Sequence, residues 1–167
     1  MAHVKLKGNP IALKGDVLKV GFKAPGFTLV DKDLNNCSLM DFEGKKKLLS
    51  IVPSLDTEVC LISSKKFNEA AKAHPEIAVL IVSTDLPFAQ KRVCGLEKLG
   101  NIHTLSMMRD KSFAHDYGVL IAEGPLAGVC TRAVFVLDER DKVLYAEVVD
   151  EITKEPNYAK ALAALGS

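Results

Sequence analysis

The chain has 167 residues, of which 48% are apolar and 26% are charged, as expected for one globular domain of about 100 to 200 residues. Twenty-two basic and 21 acidic residues give a net charge of +1, which argues against nucleic acid or another polyanion as a partner. The sequence shows no secretory signal and no apolar run of about 18 residues, so we expect no membrane association and a cytoplasmic location. The predicted domain spans residues 1–167.

The predicted elements alternate between strands and helices, which is typical of an α/β fold. Periodicity and turn residues predict, in chain order, an N-terminal β-hairpin (4–7 and 11–14, broken at 8–10), strands at 27–30 and 36–39, a buried strand at 48–52, a helix at 59–74, a buried strand at 77–83 and a helix at 87–98. A strand at 104–108, a short helix at 112–117, a hairpin of 133–137 and 143–149, and a helix at 157–165 complete the chain.

Cys60 lies at the start of the first long predicted helix, directly after a buried strand and a turn. The unpaired N–H groups and the positive dipole end of a helix start stabilise an anion, and therefore favour a thiolate over a thiol. The alternative is a small buried apolar residue that happens to stand near a helix start. The position favours a reactive cysteine.

Three segments carry a family resemblance. Residues 53–60 read Pro-Ser-Leu-Asp-Thr-Glu-Val-Cys and fit P-x-x-x-T-x-x-C, residues 83–90 read Ser-Thr-Asp-Leu-Pro-Phe-Ala-Gln ahead of Cys94-Gly95, and residues 132–138 read Arg-Ala-Val-Phe-Val-Leu-Asp. Together they resemble the bacterial thiol peroxidases, atypical two-cysteine peroxiredoxins, from the N-terminal hairpin to residues 155–158. The resemblance implies a thioredoxin fold with an N-terminal β-hairpin and a central mixed sheet flanked by helices.

Carried over residue by residue, the resemblance implies that Cys60 is the peroxidatic nucleophile and Cys94 the resolving cysteine, with Thr57, Arg132 and Pro53 completing the peroxide pocket. The implied reaction reduces hydrogen peroxide or alkyl hydroperoxides and forms a sulfenic acid on Cys60. An intramolecular disulfide with Cys94 follows, which thioredoxin reduces. The family works without a metal or an organic cofactor, and its members form homodimers.

The chemistry of these residue types fits the implied roles. A planar, permanently charged Arg132 suits a site that must hold a thiolate and a peroxide oxygen together. The hydroxyl of Thr57 can accept from the peroxide and donate to the sulfur, while Pro53 offers no competing N–H. A free thiol is roughly 3% ionised at pH 7, so full ionisation accelerates attack by at most about 30-fold. Fast catalysis therefore also needs donors aimed at the leaving oxygen.

Glu58 departs from the family pattern, which has a small residue or proline at this position. A carboxylate in the first turn favours the helix but disfavours a nearby thiolate. We expect the Glu58 side chain to point into solvent, leaving the reaction intact.

The position of Cys94 predicts a motion. The two buried strands should run parallel, which brings the start of both following helices to one sheet edge. Cys94 lies about seven residues into its helix, or roughly 10 Å from that edge, whereas a disulfide needs Cα atoms within about 7 Å. Disulfide formation therefore predicts local unwinding of residues 87–95, which Gly95 would ease.

Other interpretations remain open at this stage. Cys37, on a predicted strand, is expected to be a bystander. Cys130 lies two residues before Arg132, and alternate residues of a strand share a face, so a secondary redox role is the alternative to the expected small buried bystander. A zinc site is disfavoured because the histidines and cysteines lack paired spacing, and no histidine is placed beside Cys60 for a cysteine hydrolase. The non-enzymatic alternative is a peroxide-sensing switch that uses the same cysteine pair.

Overall fold

The computed structural model of the chain describes residues 2–166, and these form ten β-strands and four α-helices. The strands are β1 (His3–Leu6), β2 (Asn9–Lys14), β3 (Thr28–Val30), β4 (Asn36–Ser38), β5 (Lys47–Ile51), β6 (Ala78–Ser83), β7 (His103–Ser106), β8 (Leu120–Ile121), β9 (Ala133–Leu137) and β10 (Val143–Val148). The helices are α1 (Glu58–Ala73), α2 (Pro87–Glu97), α3 (Ser112–Asp116) and α4 (Tyr158–Gly166), and Leu39–Phe42 forms one turn of 3-10 helix.

A seven-stranded mixed sheet forms the centre of the fold, in the order β10-β9-β5-β6-β7-β3-β4. Strands β5, β6 and β7 run parallel, whereas β9 pairs antiparallel with β5 on the other side. The parallel arrangement of β5 and β6 was predicted, and it places the loops that precede α1 and α2 at one edge. This α/β architecture of the thioredoxin type, with its N-terminal hairpin, confirms the predicted fold.

Both faces of the central sheet are covered, which explains why its inner strands are apolar without alternation. In β5, Leu49 packs in a core on one face together with α3, while Leu48 packs in a core on the other face together with α1 and α4. Every residue of β5, β6 and β9 is buried. Cys60 belongs to the second of these cores.

The N-terminal hairpin differs from its prediction in the position of the turn. Lys7 and Gly8 form the turn, with φ values of +50° and +84°, as in two-residue hairpin loops. The predicted break at residues 8–10 is wrong, because Asn9 and Pro10 belong to β2. Pro10 stands opposite Lys5, next to the pair that closes the turn. In an antiparallel ladder that next pair makes no hydrogen bonds, so the proline removes none.

Strand β8 was not predicted, and it joins the hairpin in a three-stranded sheet through Leu13 and Lys14. The other predicted elements are present, with ends that differ by one or two residues. Within residues 2–166, no helix combines the length and apolar character needed to cross a bilayer.

Candidate active site

The local sequence places Cys60 in the first turn of α1. Thr57 is the N-cap residue in an extended conformation, and the first bond of the helix runs from the Leu61 N–H to the Thr57 carbonyl at 2.9 Å. The N–H groups at Glu58 to Cys60 therefore have no partner within the helix. Cys60 lies on the buried face of α1 and is 0% exposed. The positive end of the α1 dipole thus lies at the buried thiol of Cys60.

Arg132 and Cys60 are brought together by the pairing of β9 with β5. Ala133, the first residue of β9, stands opposite Ile51, the last residue of β5, so Arg132 comes next to the loop that leads into α1. Its Nη1 lies 3.2 Å from the Sγ of Cys60, and the arginine is only 4% exposed. A buried cation is costly without a compensating partner, and the Cys60 sulfur is a partner that the Nη1 of Arg132 contacts directly.

The orientation of Arg132 depends on a second contact. Its Nε donates to the carbonyl oxygen of Ile152 at 2.9 Å. The segment around Ile152 is bound in turn by the N-terminal hairpin, since the Ile152 N–H donates to the Lys5 carbonyl and the Lys5 N–H donates to the Asp150 carbonyl. The Glu151 carboxylate accepts from the hairpin turn as well. The N-terminal hairpin therefore holds Ile152 in place, and the Ile152 carbonyl orients Arg132.

Pro53 and Thr57 both lie in the loop between β5 and α1. Pro53 is buried directly after the strand, whereas Thr57 is exposed. The Thr57 hydroxyl donates to the carbonyl oxygen of Ser54 at 3.2 Å, so in this state it is engaged with the loop backbone. Its contact with sulfur or peroxide stays a prediction. The expected solvent exposure of Glu58 is confirmed.

Sequence reasoning missed Asp85, which lies between β6 and α2. Its carboxylate accepts from the Ser54 hydroxyl at 2.8 Å, from the Leu55 N–H at 2.6 Å and from the Ser83 hydroxyl at 2.8 Å. The sequence pattern that could have indicated Asp85 is an acidic residue after the buried strand β6, which runs parallel to β5, the strand before Cys60. Such residues meet at the carboxyl edge of the sheet.

Cys94 lies in α2 and packs against the same core as Cys60. It is a free thiol, as are the other three cysteines. Burial raises the pKa of the Cys94 thiol, against opposing contributions from Thr104 and Lys32. An ion pair of 2.8 Å between Lys65 and Glu97 joins α1 to α2. In the dithiol state, Cys94 is therefore held in its helix as a protonated thiol.

Cys130 lies apart from the Arg132 site despite its spacing. It belongs to the core on the opposite sheet face, with its sulfur 3.9 Å from that of Met107. The premise that residues 130 and 132 share a face is wrong here, because β9 begins only at Ala133 and Cys130 bridges Leu120 instead. Burial raises the pKa of Cys130 to about 12. Burial, followed by Asp41, raises the pKa of Cys37 to about 11.

The comparisons with known proteins agree with this geometry. Residues 19–162 match the family model Redoxin. The chain is 50% identical over 166 residues to the thiol peroxidase of Leptospira interrogans, and the match covers 98% of this chain and 97% of that protein. Among solved structures, a peroxiredoxin-like protein from Aquifex aeolicus superposes with a TM-score of 0.93 at 43% identity, over 98% of this chain and 95% of that one. The thiol peroxidase from Chromobacterium violaceum has a TM-score of 0.91 at 25% identity, with the same coverage.

A thioredoxin-type sheet with a buried arginine against a cysteine at a helix start defines a cysteine-based redox protein of the peroxiredoxin class. The chain belongs to the Redoxin family. Its nearly full-length likeness to the Leptospira protein places it among the thiol peroxidases, which are peroxidase enzymes.

Proposed function

We propose that this chain reduces hydrogen peroxide and alkyl hydroperoxides with the thiolate of Cys60, that Cys94 resolves the oxidised product, and that thioredoxin restores the dithiol. The observation that carries the proposal is the 3.2 Å contact between Arg132 Nη1 and Cys60 Sγ, two residues that are both buried. That contact places a cation at the nucleophile, and it leaves a second guanidinium nitrogen that can bind the substrate.

In the first step, the Cys60 thiolate attacks the terminal oxygen of the peroxide. A sulfur–oxygen bond forms as the O–O bond breaks, the sulfur loses two electrons, and the leaving oxygen takes up a proton and departs as water or alcohol. Donors from Arg132 and from the start of α1 stabilise the charge that develops on the leaving oxygen. The product is a sulfenic acid on Cys60.

In the second step, the Cys94 sulfur attacks the Cys60 sulfur, a disulfide forms, and the sulfenic oxygen leaves as water with the thiol proton. The environment of Cys94 opposes this reaction in the dithiol state, because burial raises the pKa of its thiol. Movement of Cys94 out of this buried position therefore exposes the thiol and, at the same time, favours its thiolate. The predicted unwinding of residues 87–95 is supported by Gly95, which is exposed and has open space around it.

The remaining parts of the proposal rest on family likeness. Thioredoxin transfers two electrons to the disulfide by thiol exchange, and the protein works as a single-domain homodimer in the cytoplasm. The side chains of Leu86 and Phe88, which are 52% and 64% exposed, lie at the start of α2 just after Asp85 and support a partner surface near the site. Light scattering of the purified chain tests the dimer.

Two measurements test the proposed reaction. With thioredoxin, thioredoxin reductase and NADPH, we expect peroxide to be consumed over many turnovers, whereas one stoichiometric oxidation would instead support a peroxide-sensing switch. Mass spectrometry of the peroxide-treated protein should find a Cys60–Cys94 crosslink that is absent from the Cys60→Ser and Cys94→Ser variants. A crosslink from Cys60 to Cys37 or Cys130 would overturn the assignment of Cys94.

A further inference from the structure

Asp85 connects the loop in front of Cys60 to the start of α2, and the proposed cycle gives it no role. On the side of the loop, its carboxylate accepts from the Ser54 hydroxyl at 2.8 Å and from the Leu55 backbone N–H at 2.6 Å. The Ser54 carbonyl in turn accepts from the Thr57 hydroxyl at 3.2 Å. The Asp85 carboxylate therefore fixes the backbone that leads into the first turn of α1.

On the side of α2, the network continues through two further side chains. The Ser83 hydroxyl donates to Asp85 at 2.8 Å and accepts from the Gln90 amide nitrogen at 3.0 Å. The same nitrogen donates to the Leu105 carbonyl at 3.0 Å, and Gln90 is 1% exposed. Gln90 stands one helical turn before Cys94. The network therefore anchors α2 to β6 and β7 just ahead of the cysteine that has to move.

Hydrogen bonds to a carboxylate are stronger than bonds between neutral groups. The negative charge of Asp85 is thus placed where it opposes separation of the two elements that carry Cys60 and Cys94. Attack on the peroxide requires the loop in one fixed geometry, whereas closure of the disulfide requires α2 to leave its position. Because Asp85 holds both the loop and α2, it favours attack on the peroxide and opposes closure of the disulfide.

We propose that Asp85 is a positioning residue that accelerates the oxidation of Cys60 by peroxide and slows the closure of the Cys60–Cys94 disulfide. The inference rests on the proposed function, because it assumes those two steps. The carboxylate of Asp85 binds Ser54, Leu55 and Ser83 and neither of the two reacting sulfur atoms. Its effect is to keep Cys60 aligned with Arg132 until sulfenic acid has formed.

The test compares Asp85→Asn with Asp138→Asn. Asp138 is a matched control, since its carboxylate, like that of Asp85, accepts two hydrogen bonds from a loop, in this case from the N–H groups of Arg140 and Lys142 at 2.8 and 2.9 Å. The chain has no tryptophan, so both steps are followed by rapid quenching, chemical trapping of sulfenic acid and thiols, and mass spectrometry. A Cys94→Ser background isolates the peroxide step.

We expect Asp85→Asn to lower the second-order rate of sulfenic acid formation by about tenfold and to raise the first-order rate of disulfide closure several-fold. Asp138→Asn should leave both rates unchanged. Ser54→Ala removes contacts on the side of the loop alone, those of the Ser54 hydroxyl with Asp85 and with the Asp56 N–H, and should slow the peroxide step with a smaller effect on closure. This second variant provides the test if Asp85→Asn does not fold.

Three results would overturn the role of Asp85. The first is a pair of rates equal to those of the Asp138→Asn control. The second is a fall of both rates in parallel with the melting temperature. The third is a rise of both rates, which would mean that the network restricts access of the substrate. The wild-type reference separates this proposal from the proposed function. If wild type forms no Cys60–Cys94 disulfide, the resolving role of Cys94 fails, and the peroxide step still decides the role of Asp85.

Discussion

The Nε of Arg132 donates to the backbone carbonyl of Ile152 at 2.9 Å, while the Nη1 of the same guanidinium lies 3.2 Å from the Cys60 sulfur. A guanidinium is flat, so fixing one nitrogen largely fixes the plane in which the others lie. The direction of the positive charge at Cys60 is thus set by a main-chain oxygen outside the central sheet.

Arg132→Lys should lower the second-order rate of Cys60 oxidation by about 100-fold, the usual effect of losing one positioned donor to a developing anion. A lysine keeps the charge but cannot reach Ile152 and Cys60 with one rigid group. The rate is measured by trapping the sulfenic acid in single turnovers. Arg140→Lys, at an exposed position of the β9–β10 turn, is the matched control and should react as wild type does.

Glu58→Gln should leave peroxidase turnover within a few-fold of wild type, because the exposed carboxylate is screened by water. We expect a small loss of stability, about 0.5 kcal/mol, from the missing negative charge at the start of α1. Steady-state assays and thermal unfolding measure the two effects. A collapse of activity would show that this carboxylate acts on the sulfur after all.

Cys37 and Cys130 should resist alkylation in the native protein. With pKa values raised to about 11 and about 12, both stay protonated at pH 8, and only the thiolate reacts. Iodoacetamide labelling followed by peptide mass spectrometry should show Cys37 labelling that increases as the pH rises towards 11, and all four cysteines labelled in denaturant. Rapid labelling of Cys130 at pH 8 in folded protein would contradict its placement in the core.

Acid should release the hairpin from the segment around Ile152. The N–H groups of Thr153, Gly8 and Lys7 hold the pKa of Glu151 at about 2, below its ordinary value of 4.5. A lowered folded-state pKa means that the stabilisation is complete above pH 4.5, declines as the pH falls, and is gone below about 2. Amide exchange should show protection of Lys7 and Gly8 that decreases across this window. In Glu151→Gln, protection should be low and independent of pH, and a pH-dependent loss there would point to another group.

The places of Cys60 and Arg132 in the fold follow from local order and could be predicted from the sequence. Cys60 follows a buried strand and begins a helix, and Arg132 precedes an apolar strand, so the sequence segments around them predict the position of each residue. Their contact depends on the register of β9 against β5, which links residues about 80 positions apart and which no local pattern fixes.

The features that were missed depend on loop geometry or on very short elements. Asp85 makes its contact with the loop before α1 only because the backbone of that loop turns the Leu55 N–H towards it. Strand β8 has two residues, too few to show alternation. The shared face expected for Cys130 and Arg132 assumed a continuous strand, whereas β9 begins only at Ala133 and Cys130 forms an isolated bridge with Leu120.

The hairpin formed by β1 and β2 lies before residue 19, where the match to the family model begins. A chain shortened to start there would keep Cys60, Cys94 and Arg132 on an intact central sheet. It would lose the partner strand of Ile152, and with it the constraint on the plane of the guanidinium. We therefore expect the hairpin to support the reaction from outside the site: its removal should reduce the rate of peroxide attack more than it reduces the amount of folded protein.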